Sequence, residues 1–327
     1  MSEIKIGVIG VGYLGRFHAQ KYAALEGVKL IGVADTDAEQ VERVARECDC
    51  RPFTDYLELL PLVDAVSVAV PTSYHHEVAG KCLDAKIDVL LEKPMTVTLQ
   101  EADDLIDKAI SNELILQIGH LERFNPAVQA MEPSLTTPVF IESHRIATFK
   151  NRGVDVDVVL DLMIHDIDII LNIIKSPIKT IHTVGAPVAT ANTDIANARL
   201  IFENGATANV TVSRISRTNV RQMRIFQPGS YINVDFGNKK VMTIELSEEL
   251  RDSGMPKQVV DLRTFEGGDA LMSEVTTFVE HVKDRSKPAV SGVEGRRALD
   301  VALQVMAQIK EHQSLDLFKK ILNNKKA

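Results

Sequence analysis

An acidic residue stands one helical turn before a histidine in the stretch 156–174, where Asp161 precedes His165. Helix residues at that spacing lie on one face and can touch, so the carboxylate could orient the imidazole of a general base. Asp168 and Asn172 continue the polar stripe, and the stretch contains no Lys or Arg, although solvated helix faces usually mix charges of both signs. We interpret the stripe as catalytic. A solvated face and a metal site with His and Asp ligands are the alternatives.

A lysine before a proline is the second candidate for chemistry. Lys93 lies in the segment Glu92-Lys93-Pro94, directly after the apolar run 88–91. The proline restricts the lysine backbone to extended conformations, which would hold the ammonium group at the end of a strand. There it could donate a hydrogen bond to an alcohol or carbonyl oxygen. The alternative is a surface lysine at a turn.

A glycine-rich turn at residues 10–15 follows the apolar run Ile4–Ile9 and precedes a helical segment, 16–25. In this setting the first glycine permits a tight turn, the second lets the backbone approach a pyrophosphate, and the third lets the helix pack closely on the strand. The start of the helix would then offer backbone N–H groups to the phosphates. The predicted cofactor contacts of this turn are Gly10, Gly12, Tyr13, Leu14 and Gly15.

An acidic residue ends the next apolar run, Val28–Ala34, because Asp35 lies 20 residues beyond Gly15. A carboxylate at this position can accept hydrogen bonds from a ribose 2′-hydroxyl and would repel a 2′-phosphate. No Arg or Lys stands beside it. The sequence therefore predicts NAD as the cofactor in preference to NADP.

The alternation of strands and helices continues to about residue 118 and predicts a doubly wound parallel sheet. Ligands of such sheets lie at the carboxyl ends of the strands, which adds Pro71, Thr72, His75, Glu92 and Lys93 to the predicted cofactor contacts. The remaining predicted elements of this region are the strands 65–70 and 114–118 and the helices 38–47, 78–85 and Leu99–Ser111.

Four motifs together resemble those of the glucose–fructose oxidoreductase / inositol dehydrogenase / rhizopine catabolism family: residues 10–15, residues 71–75, Glu92-Lys93-Pro94, and Asp161 with His165. The resemblance covers essentially the whole chain. It implies an N-terminal Rossmann domain and a C-terminal α+β domain built on a large, open, mostly antiparallel sheet. It also implies NAD(P)-dependent oxidation or reduction of a hydroxyl on a sugar or cyclitol.

By the same resemblance, Lys93, Asp161 and His165 are the catalytic residues. In the oxidative direction His165 would take the hydroxyl proton, Asp161 would orient the imidazole, and Lys93 would hydrogen-bond the reacting oxygen. The hydride would pass to the nicotinamide. Two alternatives remain open: an NAD-dependent glycosidase without net redox change, and a non-catalytic NAD-binding sensor or scaffold.

Two further segments, 119–126 and 224–236, resemble a subgroup of the family that oxidises the 3-hydroxyl of UDP-N-acetylglucosamine. The predicted substrate contacts are accordingly Arg123, Asn125 and Arg221, although Arg123 could instead cap the domain junction. A basic cluster of Arg214, Arg217, Arg221 and Arg224 could clamp a substrate diphosphate. A solvated or subunit-facing strand pair is the alternative. Isolated histidines such as His18 are interpreted as structural.

The chain has 327 residues, is 45% hydrophobic and 25% charged, and carries a formal net charge of -8. This length predicts two globular domains, which we place at 1–122 for cofactor and 123–327 for substrate and oligomerisation. The acidic charge disfavours nucleic-acid partners, and no apolar run suits a membrane helix. Three cysteines and no signal-peptide pattern predict a cytoplasmic protein with reduced thiols. The resemblance implies a homodimer or homotetramer through the C-terminal sheet.

Overall fold

The computed structural model describes residues 3–149 and 156–313, and the chain divides into two compact units. The first unit consists of Met1–Phe124 and Asp269–Leu299, and the second of Asn125–Gly268 and Asp300–Ala327. The first boundary lies close to the predicted one after residue 122. The predicted second domain, 123–327, is interrupted by Asp269–Leu299, because this segment buries Val275 and Phe278 in the core of the first unit.

A parallel sheet forms the centre of the first unit, with the strand order β3-β2-β1-β4-β5-β6 of a doubly wound dinucleotide-binding fold. The predicted α/β class is therefore confirmed. Every residue of β4 and β5 is buried, as expected for strands that helices cover on both faces. The strands are β1 (Ile4–Ile9), β2 (Val28–Ala34), β3 (Arg51–Phe53), β4 (Ala65–Val68), β5 (Asp88–Glu92) and β6 (Leu116–Gly119).

Helices connect these strands and begin at clear local signals. Before α2, Asp37 accepts hydrogen bonds from the N–H groups of Glu39 and Gln40. Before α4, Thr98 and Glu101 form a capping box in which each side chain accepts the other's backbone N–H. These helices are α1 (Tyr13–Ala24), α2 (Ala38–Cys48), α3 (His75–Asp84) and α4 (Leu99–Ser111).

A second, larger sheet forms the centre of the second unit, in the order β14-β13-β12-β11-β7-β10-β9-β8. β7 and β10 run parallel, and the other neighbouring pairs are antiparallel, which confirms the predicted mostly antiparallel sheet. Its strands are β7 (Phe140–Thr148), β8 (Ile178–Ala186), β9 (Ile195–Phe202), β10 (Thr207–Ser216), β11 (Val220–Gln227), β12 (Ser230–Asp235), β13 (Lys240–Leu250) and β14 (Pro256–Thr264).

The helices of this unit are α5 (Pro126–Met131) and α6 (Ile164–Ile173), and α6 packs on β7 and β10. Buried and half-buried residues alternate along β9, β10 and β11. One face of the sheet therefore belongs to the core, and the other is only partly covered. Finally, α7 (Ala270–Asp284) returns to the first unit, and α8 (Gly292–Gln313) runs from the first unit into the second.

The region 156–174, predicted as one α-helix, contains two kinds of helix in the structure. A π-helical turn, Val159–Met163, carries Asp161 and leads into α6, which carries His165. The predicted polar stripe therefore does not follow a single α-helical face. Asp168 is buried, so a solvated face is excluded at that position. Within the described ranges, no helix has the length and apolar character needed to cross a membrane.

Candidate cofactor and catalytic sites

Backbone contacts close the glycine turn at residues 10–15 tightly. Gly10 has a φ of +83°, and a Cβ atom placed there would lie 2.7 Å from the Val70 nitrogen. A Cβ atom on Gly15 would lie 1.8 Å from the carbonyl oxygen of Gly10. By contrast, a Cβ atom on Gly12 would meet nothing within 4 Å. Packing therefore requires glycine at positions 10 and 15, whereas the backbone at Gly12 faces space that a ligand can enter.

The N-terminus of α1 has the properties of a phosphate site. Gly12 occupies the N-cap position without a side-chain cap, and the first turn contains no acidic residue. First-turn N–H groups lack intrahelical acceptors, and with the positive end of the helix dipole they favour an anion. Tyr13 and Leu14 are 62% and 41% exposed, and a bound cofactor would cover such apolar surface. The turn therefore fits the pyrophosphate of a dinucleotide.

We expect alanine at Gly12 and alanine at Gly15 to have different effects. Gly15→Ala should prevent correct folding of the first unit, because its Cβ atom overlaps a backbone oxygen. Gly12→Ala should fold normally but bind NAD about tenfold more weakly or worse, a loss of ~1.4 kcal/mol, because its methyl group enters the space meant for the pyrophosphate. Thermal unfolding and NADH fluorescence titration measure the two effects. Wild-type NAD affinity in Gly12→Ala would contradict the pyrophosphate assignment.

The carboxylate of Asp35 is fixed beside the glycine turn. Its Oδ2 accepts the N–H of Val11 at 2.8 Å, and its Oδ1 accepts the N–H of Asp37 at 3.0 Å. Each carboxylate oxygen has a second lone pair, so the group can still accept hydrogen bonds from ribose hydroxyls. The backbone thus holds a negative charge at the end of β2, the position that the sequence predicted.

The segment after β4 places its polar residues differently. Pro71 is exposed and Thr72 is half-buried, whereas His75 is buried. The ring nitrogens of His75 lie 2.9 Å from the carbonyl oxygens of Pro94 and Val70. Burial lowers the pKa of His75, although these hydrogen bonds oppose the shift. These contacts give His75 a role in supporting the loop that follows β5, and its contact with the cofactor stays a prediction.

Lys93 is half-buried and directly follows β5. Its backbone N–H donates to Oε2 of Glu92 at 3.2 Å, and the Lys93–Pro94 peptide bond is cis. The carbonyl oxygen of Pro94 lies 2.9 Å from Nδ1 of the His75 ring. Glu92 and His75 therefore hold the backbone of this loop at Lys93 and Pro94. A reactive ammonium group has to be positioned in this way.

The second unit carries Asp161 and His165, and both are half-buried. Such partial exposure suits side chains that must reach a substrate while remaining oriented by the protein. Asp161 lies in the π-helical turn, a feature that recurs at functional sites. The chemical types of the two residues suit a general base and its orienting acid.

A buried ion pair anchors α6 at the residue after His165. Asp166 accepts hydrogen bonds from Nε and Nη2 of Arg145 at 2.9 and 3.0 Å, and the two side chains are 1% and 3% exposed. The guanidinium also lies 5.3 Å from the ring centroid of Phe236. This bidentate pair fixes α6 against β7 and therefore fixes the position of His165.

The arginines of the predicted basic cluster lie in different environments. Arg214 is buried and donates to backbone carbonyl oxygens. Arg224 pairs with Glu142 of β7, whereas Arg217 and Arg221 are exposed. A diphosphate clamp made of all four arginines is therefore excluded, because one of them stabilises the interior and another is neutralised. Arg221 stays a predicted substrate contact.

The two residues predicted near the domain boundary have partners within the protein. Asn125 is buried, its Oδ1 accepts the N–H of Ala127 at 3.1 Å, and its Nδ2 donates to the carbonyl oxygen of Phe236 at 3.2 Å. Asn125 is thus the N-cap of α5, and its contact with substrate stays a prediction. Arg123 donates to the carbonyl oxygen of Ala289 at 3.4 Å, and its substrate contact stays a prediction.

Two supporting residues were not assigned from the sequence. His18 on α1 is buried, and its Nε2 lies 2.9 Å from Oε1 of Glu92. Arg145 lies on β7, where buried and half-buried residues alternate. Nothing in the neighbouring sequence indicates that this arginine is buried. Only the position of His18, three residues after Gly15 on a helix that must pack on the sheet, could have indicated a buried partner.

Comparison with known proteins places these features in a family. Residues 4–120 match the model of an oxidoreductase family with an NAD-binding Rossmann fold, and residues 141–227 match the GFO/IDH/MocA C-terminal domain. The chain is 40% identical to UDP-N-acetylglucosamine 3-dehydrogenase from Acidithiobacillus ferrooxidans, over 94% of this chain and 98% of that protein.

A solved structure of this relative and one further relative extend the result. A solved structure of the Acidithiobacillus enzyme has a TM-score of 0.91 and 38% identity, covering 96% of this chain and 100% of the other. Myo-inositol 2-dehydrogenase from Thermotoga maritima is 26% identical over 96% of this chain and 98% of its own length. The sequence-based family resemblance is confirmed, and the chain belongs to the GFO/IDH/MocA family of oxidoreductases with an NAD-binding Rossmann fold.

Proposed function

We propose that this protein is an NAD-dependent dehydrogenase that oxidises the 3-hydroxyl of UDP-N-acetylglucosamine. The observation that carries the proposal is the 40% identity to an enzyme named for this activity, over nearly the full length of both chains. This identity spans the second unit as well as the Rossmann unit. The inositol dehydrogenase from Thermotoga covers the same length at 26%, so the similarity favours a nucleotide sugar over a free cyclitol.

In the proposed reaction three side chains act on the substrate hydroxyl. His165 takes the hydroxyl proton as general base, Asp161 orients the imidazole and stabilises its cation, and Lys93 donates a hydrogen bond to the reacting oxygen. NAD held by the glycine turn and Asp35 would supply the hydride acceptor for the carbinol carbon. The anchored loop at Lys93 and the ion pair of Asp166 beside His165 support these roles, because both hold a reactive side chain in a defined position.

The fixed carboxylate of Asp35 supports NAD as the cofactor in preference to NADP. Its position at the end of β2 is held by the N–H groups of Val11 and Asp37. A ribose with two hydroxyls can donate to this carboxylate, whereas a 2′-phosphate would meet a negative charge that cannot move away. We therefore infer a strong preference for NAD.

Arg221 is the basic residue that best fits a contact with the substrate diphosphate. In the register of β7 and β11 it lies opposite Arg145, and directly opposite residues project to the same face of a sheet. Arg145 pairs with Asp166 of α6, so α6 packs on this same face of the sheet. α6 also carries His165. Arg221 is exposed, so its guanidinium can reach a ligand.

Absorbance of NADH tests the proposed activity. We expect NADH to appear when the purified protein receives NAD and UDP-N-acetylglucosamine, and not when it receives free N-acetylglucosamine, glucose or myo-inositol. The same assay with NADP should give much lower turnover. NADH formation with a free sugar or inositol alone would contradict the nucleotide-sugar assignment, and no NADH with any substrate despite NAD binding would contradict the dehydrogenase assignment.

We further propose that the protein forms a homo-oligomer through the sheet of the second unit. On its partly covered face, Phe226 contacts Phe140 and Tyr231, with ring centroids 5.7 and 5.1 Å apart. Along the edge strand β14, Val259 and Leu262 are 57% and 63% exposed. Exposed apolar residues on a sheet edge favour association. Sedimentation analysis should give the mass of a dimer or tetramer, and a monomer at all concentrations would contradict this proposal.

A further inference from the structure

A buried polar cluster lies inside the first unit, next to the loop that carries Lys93. His18, Glu92 and Glu274 bring an imidazole nitrogen and carboxylate oxygens within 4.8 Å of one another. The three residues belong to α1, β5 and α7, and they are 1%, 9% and 0% exposed. Because glutamate is almost never fully buried without a partner, the state of this cluster needs a physical explanation.

Both ring nitrogens of His18 lie within hydrogen-bond distance of a partner. Oη of Tyr22 lies 2.8 Å from Oγ of Ser67, Nδ1 of His18 lies 3.2 Å from the same oxygen, and its Nε2 lies 2.9 Å from Oε1 of Glu92. A carboxylate oxygen can only accept, so the Nε2 proton of His18 is donated to Glu92, while the Ser67 hydroxyl links Nδ1 of His18 to Tyr22. In this arrangement Glu92 acts as an acceptor on both oxygens, which favours its ionised form.

Glu92 has the surroundings of a charged carboxylate. Its second oxygen accepts the backbone N–H of Lys93 at 3.2 Å. Burial raises the pKa of Glu92, but the hydrogen bond from His18 and the nearby positive charge outweigh burial, so the pKa lies below its ordinary value. The single negative charge of the cluster therefore resides on Glu92.

Glu274 has the opposite surroundings. It is completely buried, and neither of its carboxyl oxygens has a hydrogen-bond partner in the described part of the chain. Burial and then the charge of Glu92 raise the pKa of Glu274 well above its ordinary value. An ionised Glu274 would place a second negative charge within 4.8 Å of Glu92 with no donor to stabilise it.

We propose that Glu274 is a neutral carboxylic acid that directs its proton to Glu92, and that it acts as a positioning residue for Lys93. The second half of this inference rests on the proposed function, in which Lys93 contacts the substrate. The proton on Glu274 leaves Glu92 as the one ionised carboxylate of the cluster. Glu92 then accepts the backbone N–H of Lys93 and holds the loop. Loss of the proton would set two carboxylates against each other and displace the loop.

A protonated Glu274 makes the stability of the folded protein depend on pH in a defined direction. The polar groups that face Glu274 are His18 and Tyr22 from α1, Glu92 from β5 with Lys93 after it, and the amide of Gln117 from β6, which donates to the Glu274 carbonyl oxygen at 3.3 Å. In the unfolded chain Glu274 ionises around its ordinary pKa of 4.5, whereas in the folded chain burial and the charge of Glu92 raise its pKa well above that value. The folded form then binds one more proton, so the stability falls as the pH rises above that value. Glutamine at this position removes the effect.

Infrared difference spectroscopy tests the proton directly. We expect the wild-type protein at neutral pH to show the C=O stretching band of a protonated carboxylic acid. The band should be lost in Glu274→Gln and retained in Glu280→Gln, a matched control at an exposed position of α7. Absence of the band from the wild type, or its persistence in Glu274→Gln, would overturn the inference. So would a stoichiometric metal ion that depends on Glu274, because the cluster would then be a metal site.

Unfolding temperature and kinetics test the remaining parts. Glu274→Gln should become progressively more stable than the wild type from acidic to mildly basic pH and should retain turnover, because the amide is neutral and can donate to Glu92. Glu274→Met has no donor and should lower kcat about 10- to 100-fold with unchanged NAD affinity, through displacement of Lys93. Wild-type kcat in the methionine variant, or an equal loss in both variants, would refute the positioning role. The infrared band and the pH dependence of unfolding need no turnover, so they report on the proton even if the proposed function fails.

Discussion

Lys93→Met is expected to lower kcat for NAD-dependent oxidation of UDP-N-acetylglucosamine by about 10²- to 10⁴-fold, the range for loss of a group that assists proton transfer. Methionine keeps the length and the apolar stem of lysine but removes the ammonium group. The backbone of the loop should keep its conformation, because the Glu92 carboxylate and the His75 ring hold it at Lys93 and Pro94. NAD affinity and unfolding temperature should therefore change little.

Steady-state kinetics beside an NAD titration checks this expectation. Lys81→Met is the matched control, because Lys81 is an exposed residue of α3 with no proposed role, and it should behave as the wild type. A Lys93→Met protein that binds NAD normally and retains full turnover would remove Lys93 from the mechanism. Loss of NAD binding with residual chemistry would instead make Lys93 a cofactor contact.

Asp166→Ala is expected to lower the free energy of unfolding of the second unit by ~3–5 kcal/mol, the cost of leaving one member of a buried ion pair without its partner. The guanidinium of Arg145, which is 3% exposed in the native protein, would lose a bidentate carboxylate. Because Asp166 also fixes α6 next to His165, turnover should fall together with stability. The double variant Arg145→Met/Asp166→Leu should recover most of the lost stability, since apolar replacement removes the buried charge along with its partner.

Chemical denaturation followed by circular dichroism measures this effect. Because the chain has two units, we expect two separate unfolding transitions. Glu249→Ala provides the control within the same unit, because Glu249 pairs with Lys257 where both side chains are exposed, at 71% and 54%. An exposed pair contributes at most about 1 kcal/mol. Equal losses in the two single variants would show that the buried pair has no special role.

The fold is predictable from sequence to different degrees in the two units. α4 has the predicted bounds Leu99–Ser111, because Thr98 and Glu101 mark its start locally. In the second unit β14 escapes prediction, because its residues are mostly exposed on both faces and show no alternation. The parallel pairing of β7 with β10 could not be predicted either, because no local pattern encodes a partner so far along the chain.

The local backbone conformation at the predicted site residues follows from the sequence, whereas the hydrogen-bond partners of their side chains do not. The turn at Gly10 and the charge at Asp35 have the geometry expected from spacing alone. Asn125 and His75 lie at the expected ends of elements but bond to backbone groups within the protein. Buried N–H and carbonyl groups need partners as much as ligands do, and the sequence does not show which of the two a polar side chain serves.

The chain returns to its first unit at Asp269–Leu299. The core of that unit can therefore be completed only late in synthesis. Val275 and Phe278 on α7 share a core with Ile6 and Val8 on β1. When the ribosome has passed Phe124, every strand of the parallel sheet exists, but the helix that completes this core is still untranslated. N-terminal domains generally fold first, whereas this one must keep apolar surface uncovered until Asn125–Gly268 has emerged. A fragment that ends at Phe124 would keep that surface permanently, so we expect it to aggregate when expressed alone.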